Sequence, residues 1–506
     1  MKRLIAFLLC MTLLCGCTAP QSPQKPTACI THADNDDNGT CDLCNESVLV
    51  VVDFYNINDL HGKFADTSEQ PGVNEMTTYF KKVRTKDDHV VLLSTGDTWQ
   101  GSSESNLTGG LLMTDWMNQL DFAAMALGNH EFDWGEDAIT KNAEFAEFPL
   151  LAINIYDRDS HKQVDYCQSS TMVDLGELQI GIIGAIGDCY SSIAADKVED
   201  VYFKTGEELT NLVMLESLRL RNQGADYIVY LLHDGYGDSE SGNVKPVTSS
   251  RIASYYDTSL SDGFVDLVFE GHTHQKYILK DEYGVYHLQN RGENKGGISH
   301  VEVSINTVTG SSSINDAAFV TGAEFERLNG DPIVPNLMEK YGDEIAPGLE
   351  VLGSNAYQRS SNELRQLVAD LYYQLAEKHW GDEYDIVLGG GYLSVRAPYE
   401  LPQGDVTYGQ LQMLFPFDNP LALCSIKGRD LQDRFFKSQK NYYISYGEYG
   451  AQVERNVDPN ATYYVLVDSY SSLYAPNKLT EIARYDETTF ARDLLAEYIK
   501  QGGLAQ

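Results

Sequence analysis

The chain has 506 residues, 37 lysines and arginines against 74 aspartates and glutamates, and a formal net charge of −37. That length provides for two or three domains with cores of their own, and 42% hydrophobic with 11% aromatic residues excludes a chain disordered throughout. The acidic excess excludes a nucleic-acid duplex as partner, because a phosphate backbone needs a basic surface. A small anionic substrate would need only local positive charge, from metals or a few arginines.

The first element in chain order is an address. Lys2 and Arg3 precede an apolar run over 4–14, which has the length of a signal-peptide core and is too short to span a bilayer. The run ends in Leu14-Cys15-Gly16-Cys17, which resembles a bacterial lipobox. Residues 1–17 therefore read as a lipoprotein signal peptide, with Cys17 as the lipidated residue and the Pro-rich stretch after it as a tether. The expected place is the cell surface or a periplasm-facing site, lipid-anchored to the membrane.

Residues 18–47 join that tether to a cysteine-rich stretch. Cys29-x-x-His32 and Cys41-x-x-Cys44 have the spacing of a zinc knuckle with Cys3His ligands. Residues 34–39 also match the start of a calcium loop, although its twelfth position would be Asn45 rather than glutamate. A plain acidic spacer is the third reading. Cys167, Cys189 and Cys424 are scattered and read as buried or paired.

From residue 48 to 322 apolar runs alternate with amphipathic segments. Strands are expected over 48–55, 90–93, 178–183, 227–232, 265–269 and 300–305, with a helix over 209–223, which is the pattern of a layered α/β domain. A linker helix is expected within 323–349, at 325–341. Residues 350–506 form a second region, with a strong helix over 362–378, further strands and a final helix over 489–500.

Metal-ligand side chains follow the apolar runs. VVVDFYNIN leads into Asp59-x-His61, VVLLSTG into Asp97, FAAMALG into Asn129-His130, YIVYLL into His233, and VDLVFEG into His272-x-His274. In an open α/β sheet the ligand site lies beyond the carboxyl ends of the strands, so these five ends are expected to share one crevice. Aspartate can bridge two cations, and neutral imidazole suits zinc, manganese, iron or cobalt. Asp59 and His61, at i and i+2 of an extended segment, would point the same way, and His272 and His274 would repeat that geometry.

Taken in order, DLHG, GD, GNHEFD, LLH and GHTH resemble the signature of the calcineurin-like metallophosphoesterases, and GNHEFD with the downstream region resembles their 5′-nucleotidase branch. The resemblance implies a four-layer α/β sandwich metallophosphoesterase domain with a second α/β substrate-binding domain. It implies two divalent ions of unspecified identity. Asp59, His61, Asp97 and His274 would hold one, and Asp97, Asn129, His233 and His272 the other, with Asp97 as bridge. His130 and Asp133 would form a catalytic dyad outside the ligand set, and no covalent phospho-enzyme would be needed.

In the second region, Leu388-Gly389-Gly390-Gly391 runs to Arg396, and Phe415-Pro416-Phe417-Asp418-Asn419 follows. These resemble the family's Gly-rich segment ending in arginine and its PFxN segment, which implies Arg396 on the phosphate or nucleoside and Phe417 stacked on the base. A second ring is expected at Tyr470, or at Tyr474, because the family's GGDG is missing here. Arg359 lies near the place of further substrate arginines. The expected activity is hydrolysis of nucleoside 5′-monophosphates. Two rivals stand beside it: a 2′,3′-cyclic-nucleotide phosphodiesterase with 3′-nucleotidase activity, which the missing GGDG favours, and a non-catalytic surface binding lipoprotein, against which the intact ligand set and dyad argue.

Overall fold

The apolar runs of the first region become parallel strands at the centre of two stacked sheets. A computed structural model describes residues 31–63, 72–86, 89–235, 264–281, 283–291, 297–320, 331–396, 398–437, 442–473 and 478–505. The signal peptide, Cys17, Cys29, Tyr474 and residues 321–330 lie outside the described residues.

The first domain carries β1 (Leu49–Ile57), β2 (Val90–Ser94), β3 (Ala124–Ala126), β4 (Leu150–Leu151), β5 (Ile155–Asp157), β6 (Ser170–Asp174), β7 (Gln179–Ile186), β8 (Val201–Phe203), β9 (Tyr227–His233), β10 (Leu267–Glu270), β11 (Tyr277–Lys280), β12 (Tyr286–Gln289), β13 (Ile298–Asn306) and β14 (Ser312–Val320). One sheet has the order β14-β13-β1-β2-β3-β4 and the other β11-β12-β10-β9-β7-β6, while β5 and β8 make a separate ribbon. Strands β1 to β4 run parallel, as do β7, β9, β10 and β12. Antiparallel strands close both edges of the second sheet and the β14 edge of the first.

Both faces of the central strands are covered, which is why their sequences read as continuous apolar runs rather than alternating ones. In β1, Val50, Val52 and Phe54 enter the core between the sheets. Tyr55 and Ile57 turn the other way, against Val73, Met76 and Phe80 of helix Val73–Arg84. In β9, Tyr227, Val229 and Leu231 face the other sheet, while Ile228, Tyr230 and Leu232 pack on Leu209, Val213 and Leu220 of helix Gly206–Asn222. The result is helix, sheet, sheet, helix: a four-layer sandwich.

Of the linker helix expected over 325–341, residues 325–330 lie outside the described residues, and the described part is helical at Ile333–Lys340, with a further turn over Gly342–Ile345. Lys340 and Tyr341 both bond the buried carboxylate of Asp115, which holds the linker to the first domain. The second domain is built on helix Ser361–Trp380, started by a capping box between Ser360 and Glu363. Its buried stripe, Leu364, Val368, Tyr372 and Ala376, packs under a five-stranded sheet that contains Ile386–Tyr392 and Thr462–Asp468. At the domain junction Gly409 is required: a Cβ there would sit 2.6 Å from Ser103 Oγ. Among the described residues no helix is long and apolar enough to cross a membrane.

Candidate active site

The loops leaving β1, β2, β3, β9 and β10 converge between the two sheets, so the crevice is shared by both sheets rather than belonging to one open sheet. The turns that aim the side chains are strained. Asp59, His61, Asp97, His272 and His274 have φ of 49°, 50°, 50°, 67° and 50°. A left-handed backbone at a non-glycine residue costs on the order of 1–3 kcal/mol, and such residues gather at functional sites. This corrects the extended reading of Asp59-x-His61 and His272-x-His274. Each side chain is aimed by a kink of its own, and the two histidines of the second pair enter different clusters.

One cluster joins Asp59, His61 and His274, another Asp59, Asp97 and His233, and a third His233, His272 and Cys189; within each, the ligand atoms lie inside 4.8 Å of one another. Asp59 Oδ1 is 3.2 Å from His274 Nε2, and Asp97 Oδ2 is 3.2 Å from His233 Nε2. Asn129 Oδ1 stands 3.1 Å from His233 Nε2 and 2.9 Å from His272 Nδ1. The clusters share members: Asp59 joins the first to the second and His233 the second to the third, while Asp97 belongs to the second alone.

The donors fit cations. His61 Nδ1 faces the carbonyl of Gln100 at 2.9 Å, and His233 Nδ1 faces that of Thr95 at 2.6 Å. A carbonyl only accepts, so each ring holds its proton on Nδ1 and turns Nε2 inward. His61 Nε2 then meets His274 Nε2 at 3.4 Å, with Asp59 Oδ1 3.2 Å from the same His274 nitrogen, a donor set that suits a shared cation. The electrostatics agree. Burial works against charge on His233, but Asp97 and Asp59 outweigh it and lift its pKa to about 10. Burial would raise Asp59, yet His274 and His233 hold it at about 2. The carboxylates draw positive charge to this point, whether a proton or a metal ion.

A carboxylate that sequence reasoning missed braces the Asp97 turn. Glu131 is fully buried and accepts from the backbone N–H of Asp97, Thr98 and Gly128 at 2.8, 2.8 and 2.7 Å. It ties the turn after β2 to the turn after β3. Burial and the neighbouring Asp97 push its pKa up to about 7. The one signal for it was its place between His130 and Phe132 in the GNHEFD segment.

Beside the clusters, His130 Nδ1 lies 2.9 Å from Asp133 Oδ2. Burial opposes the charged ring, but Asp133 and Asp97 prevail and raise the pKa of His130, with Arg396 working the other way. Arg396 crosses from the second domain, placing Nη2 3.2 Å from His130 Nε2 and 3.4 Å from His61 Nε2. The Phe417 ring stacks near His130, centroids 5.8 Å apart, on a loop as its sequence context indicated. One cleft is lined by Asn129, His130, Asp133 and His272 from the first domain and by Arg396, Phe417 and Tyr470 from the second.

Tyr470 differs from its expectation, since it sits in the short helix Ser469–Leu473 rather than a loop; it still reaches the cleft, 5.9 Å from the Tyr392 ring. Tyr392 and Asn419 also line the cleft without having been singled out. Tyr392 follows the glycine run directly, which is the signal it offered. Arg359 is occupied elsewhere, bonded to Asn355 and stacked on Tyr357. Cys167, Cys189 and Cys424 are buried free thiols, so the paired alternative falls. At the amino end, His32, Cys41 and Cys44 come together.

A two-sheet sandwich that gathers carboxylate, imidazole and carboxamide donors at its strand ends, facing an arginine, defines a metal-dependent phosphoester hydrolase. The family model for calcineurin-like phosphoesterase matches residues 53–276, and that for the 5′-nucleotidase C-terminal domain matches 348–475. The chain belongs to the calcineurin-like phosphoesterase family, in the branch with a 5′-nucleotidase C-terminal domain. It is 23% identical to protein UshA of Yersinia enterocolitica, across 87% of this chain and 88% of that protein. It is 23% identical to a 5′-nucleotidase of Diplobatis ommata, across 79% and 74%. The fold matches the crystal structure of a 5′-nucleotidase precursor from Thermus thermophilus with a TM-score of 0.68 at 18% identity, covering 89% of this chain and 96% of that one.

Proposed function

We propose that the protein is a 5′-nucleotidase that hydrolyses nucleoside 5′-monophosphates to nucleoside and phosphate at the cell surface or a periplasm-facing site, held to the membrane by a lipid on Cys17. The observation that carries the reading is the cleft, where Asn129, His130 and His272 lie opposite Arg396, Phe417 and Tyr470. A phosphate at one end and a flat base at the other would meet complementary groups.

Asp59, His61, Asp97 and His274 would hold one divalent ion, and Asp97, Asn129, His233 and His272 a second. Two such ions, when bound, supply an activated water and neutralise the phosphoryl oxygens. The chain does the rest. Arg396 binds the phosphate. His130, oriented by Asp133, presents Nε2 to the phosphoryl group, where its proton stabilises developing charge and assists the leaving oxygen. Phe417 and Tyr470 hold the base.

Phosphate release from AMP, from 2′,3′-cyclic AMP and from an aryl phosphate, with manganese, zinc and calcium added separately, tests the reading. Fast release from AMP supports it. Preference for the cyclic substrate moves the assignment to the phosphodiesterase, which the absence of GGDG near 468–477 favours. No turnover of any phosphoester, with metals bound, leaves a binding lipoprotein. Release of the protein from membranes on Cys17→Ala tests the anchor.

A further inference from the structure

One cluster of metal-binding side chains plays no part in the crevice. His32, Cys41 and Cys44 bring an imidazole nitrogen and two sulfurs within 4.8 Å of one another, ahead of β1. The crevice lies after β1, and a nine-residue strand separates the two places by roughly 30 Å. The cluster therefore needs a role of its own.

Its geometry is that of a built ligand turn. Cys44 Sγ lies 3.5 Å from His32 Nδ1. Cys41 Sγ is buried and accepts the Ala33 N–H at 3.4 Å, and Leu43 and Cys44 turn their N–H groups toward the same sulfur. Backbone donors of this kind stabilise a thiolate rather than a thiol. The turn is closed by Asn45 N–H on the Cys41 carbonyl at 2.8 Å, with Asn45 at φ 63°. No disulfide joins Cys41 to Cys44. In contrast, the core cysteines donate to single carbonyls, Cys167 to Ala152 and Cys189 to His233.

The acidic residues of the same stretch are committed to another task, which argues against the calcium loop. Asp34 takes the N–H groups of Asn38 and Gly39 at 3.0 and 2.8 Å, and Asn306 Nδ2 at 2.7 Å. Asp37 Oδ1 takes Thr309 Oγ1 and Ser311 Oγ at 2.7 and 2.6 Å. These carboxylates fasten the segment to the turn between β13 and β14. Among the described residues they form no three-carboxylate cluster.

We infer that His32, Cys41 and Cys44 form a third, mononuclear metal site, for a thiophilic divalent ion of the zinc type, which closes the docked segment at the start of the catalytic domain. Two thiolates and an imidazole are soft-to-borderline donors that select such an ion over calcium or magnesium. The fourth position is left to a further donor. The Asp34 and Asp37 contacts set the segment on the domain surface, and the ion would lock its fold, so that the first strand starts from a fixed point.

The test is cobalt titration of the reduced full-length protein, followed by absorption and metal analysis. A thiolate bonded to cobalt gives a near-ultraviolet charge-transfer band, which the oxygen and nitrogen donors of the crevice do not. The expected result is that band together with a third equivalent of metal. Cys41→Ser and Cys44→Ser should each abolish the band, remove one equivalent, and leave hydrolysis of an aryl phosphate unchanged. Cys189→Ser, whose thiol lies beside His233, should keep the band. Any of three results overturns the inference: no band in the reduced protein, a band that survives Cys41→Ser, or a Cys41–Cys44 disulfide in protein purified natively with metal present. Retained aryl-phosphate turnover shows that the serine variants are folded.

Discussion

Arg396 Nη2 lies 3.2 Å from His130 Nε2, so a guanidinium of the second domain touches the imidazole of the first. The guanidinium N–H, and Nε2–H of the protonated imidazole, can both donate to one phosphate oxygen. Arg396→Gln should retain both crevice metals. It should lower kcat/KM about 10–100-fold, the range set by one hydrogen bond to a charged group. The loss should be equal for AMP and for an aryl phosphate, because both present the same phosphoryl group. A loss confined to AMP would move Arg396 to the nucleoside end.

Asp97 shares a cluster with Asp59 and His233, buried and braced by Glu131 through its own N–H. Asp97→Asn should lose at least one equivalent of metal and nearly all activity, since a neutral amide cannot offset two dications. Chelation of the unmodified protein should do the same, reversibly on adding metal back. Full metal content and normal turnover in the variant would remove Asp97 from the bridge.

His130 offers no atom to the three clusters of the crevice. His130→Asn should therefore keep both metals and lower turnover roughly 10²–10⁴-fold, the range of a positioned acid. Asp133→Asn should fall in the same direction by a smaller factor, because it removes only the orienting partner at 2.9 Å. If metal content falls with His130→Asn and added metal restores the rate, the histidine is a ligand.

Phe417 and Tyr470 share the cleft with His130 and Arg396. Stacking on a base contributes about 1–3 kcal/mol per ring. Phe417→Ala and Tyr470→Ala should each raise KM for AMP accordingly and leave an aryl phosphate nearly unaffected. A core-packing role would instead lower Tm and depress both activities together.

His287 is buried in the second sheet between Glu270 at 3.1 Å and Asp281 at 3.5 Å, with Tyr277 also on Glu270. Burial works against its charge, but the two carboxylates lift its pKa to about 9. A folded value above the unfolded one means that the charged ring stabilises the protein fully below about pH 6.5, and that this stabilisation is lost as pH rises through about 9. His287→Gln should cost about 3–5 kcal/mol near pH 6, the range for breaking a buried pair, and clearly less at pH 10, as read from urea midpoints. A gap that stays constant with pH would show that packing alone is lost.

Much of the crevice was legible because it sits at chain-local landmarks. An apolar run followed at once by aspartate, histidine or asparagine marks a strand end, and Asp59, Asp97, His233 and His272 were each placed that way. The helix Ser361–Trp380 was equally plain, since its apolar stripe and its capping box are both local. Phe417, after a proline in an aperiodic segment, was rightly placed on a loop. What sequence could not convey was orientation. Spacing put Asp59 and His61 on an extended segment, but the fold bends each into a left-handed turn and accepts the strain, because only kinked loops can aim short side chains from two sheets at one point. Glu131 was invisible for a related reason: beside the nearby Gly128, its partners are backbone N–H groups of a turn more than thirty residues away, at Asp97 and Thr98. Arg359 and Arg396 are alike as residues in a sequence. Asn355 and Tyr357 hold the first, and the second reaches the crevice only because the domains meet there. Residue type and local period determine which elements form and which chemistry is on offer. Long-range packing decides where each donor points, since a hydrogen bond or ion pair depends on tenths of an ångström that no local pattern encodes.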